Sequence, residues 1–449
     1  MGKFFGTDGI RGEANRHPMD AAMAFAIGQA VTLLFKKSTH RTRVVIGKDT
    51  RISGYMLESS LEAGISSMGG ISYLVRVLPT PGIAFITESM RADAGIVISA
   101  SHNPYQDNGI KIFSGSGFKL SDKQEEHIEN LILSNKLADM VPHSRDMGRA
   151  YAMEDAPGRY IVFLKHTFPR ELSMEDMKVV IDTANGATYK VAPDTFFELG
   201  ADIEVIHNEP DGLNINDSCG SQYTQDLQKR VVETGASIGL AFDGDGDRLI
   251  AVDEKGDVIT GDQIMIICAK MLKEQGKLKN DLLVSTIMSN LGLKMACKKY
   301  GFSQHESKVG DRYVLEDMLR MDAVIGGEES GHMIFLEHHT SGDGIITALQ
   351  LIAAMVRGGK PLSELAALMD IYPQKLINVE VKSKPEITSM PEIMDVIKQV
   401  ETELKEEGRA LVRYSGTQNM CRVMVEGPSQ EVTEKYCAQI ARVVKATLG

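Results

Sequence analysis

Four short stretches of this chain group residues that could hold or move a phosphate. Ser99-Ala-Ser-His-Asn-Pro104 sets two hydroxyls beside His102, with Asp107-Asn-Gly109 and Lys111 close behind. A serine at a strand end, next to a histidine and near a lysine, is equipped to accept and return a phosphoryl group. Asn103-Pro104 forces a turn, because a residue before proline avoids the helical region. Chemistry alone does not choose between Ser99 and Ser101, and the plain alternative is a turn whose hydroxyls bond nearby backbone.

The second stretch is Asp243-Gly-Asp-Gly-Asp-Arg248. Alternate residues of an extended strand lie roughly 6.5 Å apart, too far to share an ion. Gly244 and Gly246 let the loop curl and bring the carboxylates of Asp243, Asp245 and Asp247 together, where a divalent cation offsets their repulsion. Glu254 falls where an EF-hand has its last ligand, but Arg248 stands where that loop needs glycine, so an EF-hand is excluded. Hard oxygen donors point to Mg²⁺. Arg248, directly after the third aspartate, is a candidate substrate contact.

Gly326-Gly-Glu-Glu-Ser-Gly-His332 offers Glu328 and Ser330 to sugar hydroxyls, with glycines that let backbone approach a ligand. Arg413-Tyr-Ser-Gly-Thr417, with Arg422 nine residues after Arg413, offers hydroxyls, backbone N–H groups and two guanidinium groups to a phosphate dianion. Gly6-Thr-Asp-Gly-Ile-Arg-Gly12 carries Arg11, and Gly47-Lys-Asp-Thr-Arg51 is a further charged loop; either could be a solvated turn.

These loops must be carried by a frame. Short β-branched runs alternate with helical stretches. The runs are Val44–Gly47, Gly95–Ile98, Val179–Asp182, Ile203–Ile206, Ile238–Phe242 and Leu283–Thr286. Helices are expected near 21–35, 53–68, 159–168, 187–199, 224–234, 262–275, 290–299, 343–357, 391–406 and 429–447. Alternation of this kind argues for α/β units with mixed or parallel sheets. The first three units read as loose copies of one plan. Gly235-Ala-Ser-Ile-Gly239 has the spacing of a nucleophile elbow but lies between a helix and a strand, the reverse of what an elbow needs. There is no P-loop and no dinucleotide fingerprint.

At 449 residues, the length prior is about three domains. Composition and punctuation divide the chain into four: 1–152, 153–254, 255–370 and 371–449. A net charge of −12 repels nucleic acid and anionic membrane, so an anionic substrate needs local positive sites. Five widely spaced cysteines, with no C-x-x-C, argue against disulfides and zinc ribbons. The absence of a signal segment and of a membrane span leads us to expect a cytoplasmic protein.

Together these motifs resemble the α-D-phosphohexomutase superfamily, over essentially the whole chain and in matching order. FGTDGIRG, Gly310-Asp-Arg-Tyr313 and the GEESGH form of the sugar loop resemble its glucosamine-phosphate branch; the mannose/glucose branch usually has Met where Glu329 stands. The resemblance implies a four-domain, heart-shaped α/β molecule around a central cleft: three similar α/β domains with mixed sheets, and a smaller C-terminal α+β domain. By resemblance, the serine before His-Asn-Pro, Ser101, is a phosphoserine. Its oxygen joins Asp243, Asp245 and Asp247 around Mg²⁺. Glu328 and Ser330 match sugar contacts. Arg413, Ser415, Gly416, Thr417 and Arg422 match a distal phosphate site. Arg11, Lys111 and His332 match residues of charge stabilisation or proton transfer, with His102 beside the nucleophile. The implied units are a phosphoserine domain (1–152), a metal-binding domain (153–254), a sugar-binding domain (255–370) and a phosphate-binding domain (371–449).

The expected reaction interconverts glucosamine 6-phosphate and glucosamine 1-phosphate through a hexose 1,6-bisphosphate. The expected partners are a small sugar phosphate and a second copy in a homodimer, with no nucleic acid or membrane. Gln418-Asn419 depart from the family's Glu-Pro and remove a carboxylate and a proline constraint. The competing readings are a mutase for glucose or mannose phosphates, a Mg²⁺-dependent sugar-phosphate phosphatase, and a non-catalytic sugar-phosphate binder.

Overall fold

The strands Arg43–Lys48 and Ala94–Ile98 are near-continuous apolar runs, buried along almost their whole length, as strands covered on both faces must be. They lie parallel at the centre of a mixed six-stranded sheet. Its order is Ile10–Glu13, Asp107–Ser114, Ala94–Ile98, Arg43–Lys48, Ile71–Val77, Arg149–Ala152. The computed structural model describes residues 4–6, 8–415 and 419–449.

A five-stranded sheet follows, with Lys178–Asp182 and Ile238–Phe242 parallel at its centre and Asp202–Ile206, Leu249–Asp253 and Val258–Ile259 outside them. A third sheet has the order Ser303–Ser307, Leu282–Thr286, Ile325–Gly327, Met333–Phe335. The fourth is antiparallel and three-stranded, with Met420–Glu426 between Gln374–Glu380 and Arg409–Tyr414. Helices Pro391–Leu404 and Gln430–Leu448 close its core.

The described chain divides into two compact units. One holds residues 1–288 and 302–367, with the first three sheets; the other holds 289–301 and 368–449, with the fourth.

The four-domain α/β class is as expected. Several elements differ in detail. The helix expected over 187–199 begins only at Val191, because 183–188 form buried turns with Ala184 and Asn185 in the left-handed region. The strand that leads into Glu328–His332 is Ile325–Gly327. Asp107-Asn-Gly109 and Lys111, which follow the serine turn, begin a strand, so Lys111 projects from a sheet. The second sheet runs past residue 254, since Val258–Ile259 pairs with Leu249–Asp253 across the charged turn. Helices Thr80–Ser89, Asp122–Leu133 and Asp311–Met321 were not anticipated. Gly235 does end a helix in the left-handed region before strand Ile238–Phe242, as a helix-to-strand connection should.

Helices Ala21–Leu34 and Ser53–Ser67 pack backbone to backbone at glycine. A Cβ on Gly64 would lie 2.2 Å from the Phe25 carbonyl oxygen. Gly64→Ala is therefore expected to destabilise this unit by about 1–3 kcal/mol. Gly158→Ala, at an exposed position of helix Ala156–Thr167 with open space around a new Cβ, should stabilise by about 0.5–1 kcal/mol. Urea unfolding of the two variants checks both signs.

Candidate active site

In the first two sheets, parallel strands end at polar loops, the ordinary place for ligands in α/β folds. The turn after Ala94–Ile98 carries the two candidate serines. Ser99 Oγ donates to Asp49 Oδ2 (2.5 Å) and accepts from the Ser101 N–H (3.0 Å), so both sides of that hydroxyl are engaged. Ser101 is buried with a left-handed backbone (φ 53°), and its Oγ donates to Asp243 Oδ2 at 2.6 Å. Of the two hydroxyls, Ser101 is thus the one facing the aspartate loop. His102 Nδ1 lies 3.3 Å from the same oxygen. Burial, with Arg248 and Arg11 nearby, lowers the His102 pKa to about 4, so its ring is neutral at physiological pH.

Gly47–Arg51 is not a solvated turn. Asp49 and Arg51 form a fully buried ion pair, and Lys48 pairs with buried Glu58. Arg51 Nη2 also donates to the carbonyls of Ser101 (3.3 Å) and Asn103 (2.5 Å).

The aspartate loop curls as its glycines allow. Carboxylate oxygens of Asp243, Asp245 and Asp247 lie within 4.8 Å of one another, and all three residues are buried. Gly246, with φ 72°, makes the turn. Burial and repulsion from Asp247 and Asp245 hold the Asp243 carboxyl well above the ordinary range. Burial acts on Asp245 too, but the Lys111 ammonium and the Thr80 hydroxyl outweigh it and hold that carboxyl below the ordinary range. Asp245 Oδ2 accepts from Lys111 Nζ (2.9 Å) and Thr80 Oγ1 (2.6 Å). Asp245 Oδ1 and Asp247 Oδ1 are buried without a hydrogen-bond partner among the described residues.

Buried carboxylate oxygens left so are costly unless something binds them. The donor set, all hard oxygen, fits a divalent cation. The three aspartates could hold a metal ion.

Cations surround this cluster. Buried Lys111 also lies 3.1 Å from Asp8 and 3.6 Å from Asp247. Despite burial, these carboxylates push its pKa well up, so it stays an ammonium. Arg11 donates to Asp8 Oδ2 at 2.5 Å, and Arg248 Nε sits 3.9 Å from Asp247.

The sugar-loop candidates sit beside them. The loop 328–332 is the turn of the hairpin Ile325–Gly327/Met333–Phe335. Arg248 and His332 form a backbone bridge, and the Leu249 N–H donates to the Gly331 carbonyl (3.0 Å). A Cβ on Gly331 would lie 2.1 Å from the Leu249 oxygen, so this contact requires glycine. Glu328 Oε1 accepts from the Gly310 N–H at 2.9 Å. Ser330 lies on the same turn. Buried His332 has Nε2 3.6 Å from Asp311, while its Nδ1 has no hydrogen-bond partner among the described residues.

The other unit carries the fourth loop. Arg413 and Arg422 are directly opposed in register on neighbouring strands. Burial and the Arg422 charge lower the Arg413 pKa, and Arg422 Nε is buried without a hydrogen-bond partner among the described residues. Two like charges so placed call for an anion. Ser415 is buried, and its carbonyl accepts from Lys384 Nζ (2.9 Å). Gly416 and Thr417, and Gln418 of the Gln-Asn departure, lie outside the described residues.

Asp8, Thr80, Asn216, Lys119, Asp311 and Lys384 escaped the sequence reading. Each is a single residue whose importance comes from a partner far along the chain. Only Asp8 and Asp311 lay inside stretches already quoted.

Comparison with known proteins bears on these features. Residues 2–139, 159–256 and 260–372 match the family models for phosphoglucomutase/phosphomannomutase alpha/beta/alpha domains I, II and III, and 376–443 match the C-terminal domain. The phosphoglucosamine mutase of Syntrophobacter fumaroxidans is 75% identical over 449 residues, covering 100% of both chains. A phosphoglucomutase/phosphomannomutase family protein from Burkholderia thailandensis has a similar structure, with TM-score 0.80, 22% identity and coverage of 99% of this chain and 97% of that one. The Aspergillus fumigatus N-acetylphosphoglucosamine mutase, solved with GlcNAc-6P and magnesium, has TM-score 0.71 and 18% identity, covering 100% of this chain and 96% of that one. Among the described residues no helix is long and apolar enough to cross a membrane.

The aspartate cluster has a measurable signature. The raised Asp243 pKa means that the folded, metal-free protein holds that proton more tightly than the unfolded chain. Its stability should therefore fall as pH rises above the ordinary carboxylate range. A divalent cation held by the cluster, at about 100 times its Kd, should add about 2.7 kcal/mol and flatten this slope. Asp247→Asn should raise metal-free stability and remove most of the gain from the cation, as read by thermal melts with and without EDTA.

Proposed function

The chain belongs to the phosphoglucosamine mutases, a branch of the α-D-phosphohexomutase superfamily, and from that premise we propose that it interconverts glucosamine 6-phosphate and glucosamine 1-phosphate through a phosphoserine at Ser101. The observation that carries the proposal is the Ser101 hydroxyl, 2.6 Å from Asp243 in a loop whose other carboxylates keep unpartnered oxygens.

Phospho-Ser101 donates its phosphoryl group to the free O1 hydroxyl of the 6-phosphate. The O1–P bond forms, the Ser101 Oγ–P bond breaks, and the hydroxyl proton passes to a base. The resulting 1,6-bisphosphate turns over, and its 6-phosphate returns to Ser101. Such transfer depends on positioning and charge neutralisation more than on covalent activation. Asp243, Asp245 and Asp247, with a phosphoserine oxygen, would hold Mg²⁺, which supplies charge neutralisation at the transferring phosphoryl group.

Protonation states sort the side chains. Lys111 is held as an ammonium by Asp245 and Asp8, which suits it to stabilise charge and unsuits it as a base. Arg11 shares that task. His332, with a bare Nδ1, is the better proton acceptor. Neutral His102 hydrogen-bonds the leaving Ser101 oxygen. Glu328 and Ser330 take sugar hydroxyls, and Arg248 takes a substrate oxygen near the aspartate loop. Arg413, Ser415, Gly416, Thr417 and Arg422 hold whichever phosphate is not reacting.

We assign the phosphoserine, metal-binding, sugar-binding and phosphate-binding roles to 1–152, 153–254, 255–370 and 371–449. The five cysteines are free and buried, which suits the reducing cytoplasm. We further propose that the chain works as a homodimer.

The test is a coupled assay with Mg²⁺ and a trace of hexose 1,6-bisphosphate, supplying glucosamine, glucose and mannose 6-phosphates in parallel. The highest kcat/KM is expected for glucosamine; preference for another sugar overturns the substrate, and free phosphate without 1-phosphate overturns the mutase. Ser101→Ala should abolish turnover with the fold intact. Arg413→Ala should raise KM roughly 10- to 100-fold, the worth of a charged hydrogen bond, with a smaller effect on kcat.

A further inference from the structure

The Ser101 turn is held from a residue far away in the chain. Asn216 lies in the second domain's loop, buried, with a left-handed backbone (φ 57°). Its Nδ2 donates at once to the Ser101 carbonyl (2.9 Å) and the Asn103 carbonyl (3.0 Å). The same carbonyls accept from Arg51. The aspartate loop closes over this contact: a Cβ on Gly244 would lie 2.6 Å from the Ser101 oxygen and 2.7 Å from Asn216 Nδ2. The loop that carries Asn216 is itself pinned, by the Asn216 N–H on the Ala184 carbonyl (2.9 Å) and the Ile52 N–H on the Gly212 carbonyl (2.9 Å), while Thr50 Oγ1 donates to the Asn185 carbonyl (2.6 Å) in the neighbouring turn.

A left-handed serine is strained and persists only where its surroundings over-determine it. If released, the turn relaxes and its Oγ swings away from Asp243. Arg51 and its partner Asp49 belong to the first domain, as Ser101 does, so they set the turn's shape. Asn216 comes from the domain that also supplies the aspartates, so it sets the turn's distance from them.

We propose that Asn216 is a positioning residue for the nucleophile, one amide clamping two carbonyls so that a phosphoserine oxygen at position 101 lies against the three aspartates and divalent-metal affinity rises when Ser101 is phosphorylated. The inference rests on the proposed phosphoserine.

The experiment measures Mn²⁺ affinity, by titration with free Mn²⁺ read by electron paramagnetic resonance, on full-length protein with either serine or genetically encoded phosphoserine at position 101. The wild-type protein should bind Mn²⁺ more tightly when phosphorylated. Asn216→Gly keeps the left-handed backbone and removes the amide; it should lose roughly tenfold of that preference while the unphosphorylated form keeps its affinity. Asn216→Asp, which keeps the backbone and shape but offers the carbonyls no paired donors, should do the same and serves if the glycine variant does not fold. An unchanged preference in a folded variant overturns the proposal. So does equal weakening of both forms, which would mark Asn216 as merely structural. A wild-type protein whose Mn²⁺ affinity does not depend on phosphorylation also overturns the proposal; the phosphoserine reading fails separately, if Ser101→Ala keeps full turnover.

Discussion

Three carboxylates buried in one short loop are the constraint on which this molecule turns. Their repulsion is offset within the protein chiefly by Lys111, whose ammonium touches Asp245 and Asp8 and approaches Asp247. Lys111 can lie buried only because it stands on a strand, Asp107–Ser114, clamped between Ile10–Glu13 and Ala94–Ile98. That pairing also brings the N-terminal segment, with Asp8 and Arg11, to the site. Asp8 in turn collects Arg11, Lys111 and Lys119, and Lys119 continues to Asp311 of the third domain. Signs alternate along the whole chain of contacts, as a low-dielectric cluster of charges requires.

The same constraint explains the glycines. Loops from different sheets must meet with almost no space between backbones. A Cβ on Gly244, after the second sheet, would meet the Ser101 carbonyl, after the first, and Gly331 of the third meets Leu249 of the second in the same way; within the second sheet a Cβ on Gly186 would meet the Gly244 backbone. In these loops the glycines serve close approach as much as turning.

Local chemistry was legible in advance, and long-range chemistry was not. The aspartate loop could be read because three ligands and the glycines that converge them are consecutive. The strands carrying it could be read because buried parallel strands are apolar throughout. The charged loop at Gly47–Arg51 left two readings open, solvated or not, because a buried ion pair and a solvated turn have the same composition; burial of Asp49 and Arg51 is decided by Ser99 and the carbonyls of 101–103. Ser99 and Ser101 were indistinguishable by type and spacing, and Asp49 and Asp243 separate them by taking one hydroxyl each. Helix Asp311–Met321 escaped notice because its start, at Gly310 with φ 125°, lacks a side-chain cap.

Protonation completes the division of labour. A phosphoryl transfer that runs in both directions needs one group that stays positive and another that can take and return a proton. Burial tends to neutralise both. Around Lys111 the carboxylates win over burial, and the group is locked positive. At His102 no carboxylate outweighs burial and the neighbouring arginines, and the group is locked neutral. His332 stands apart from both. Asp311, 3.6 Å from its Nε2, is already bound by Lys119, and its Nδ1 has no hydrogen-bond partner among the described residues. A fixed cation at Asp245, a neutral ring beside the Ser101 hydroxyl and an imidazole whose Nδ1 has no hydrogen-bond partner among the described residues are thus set apart by how the same few carboxylates are distributed among them.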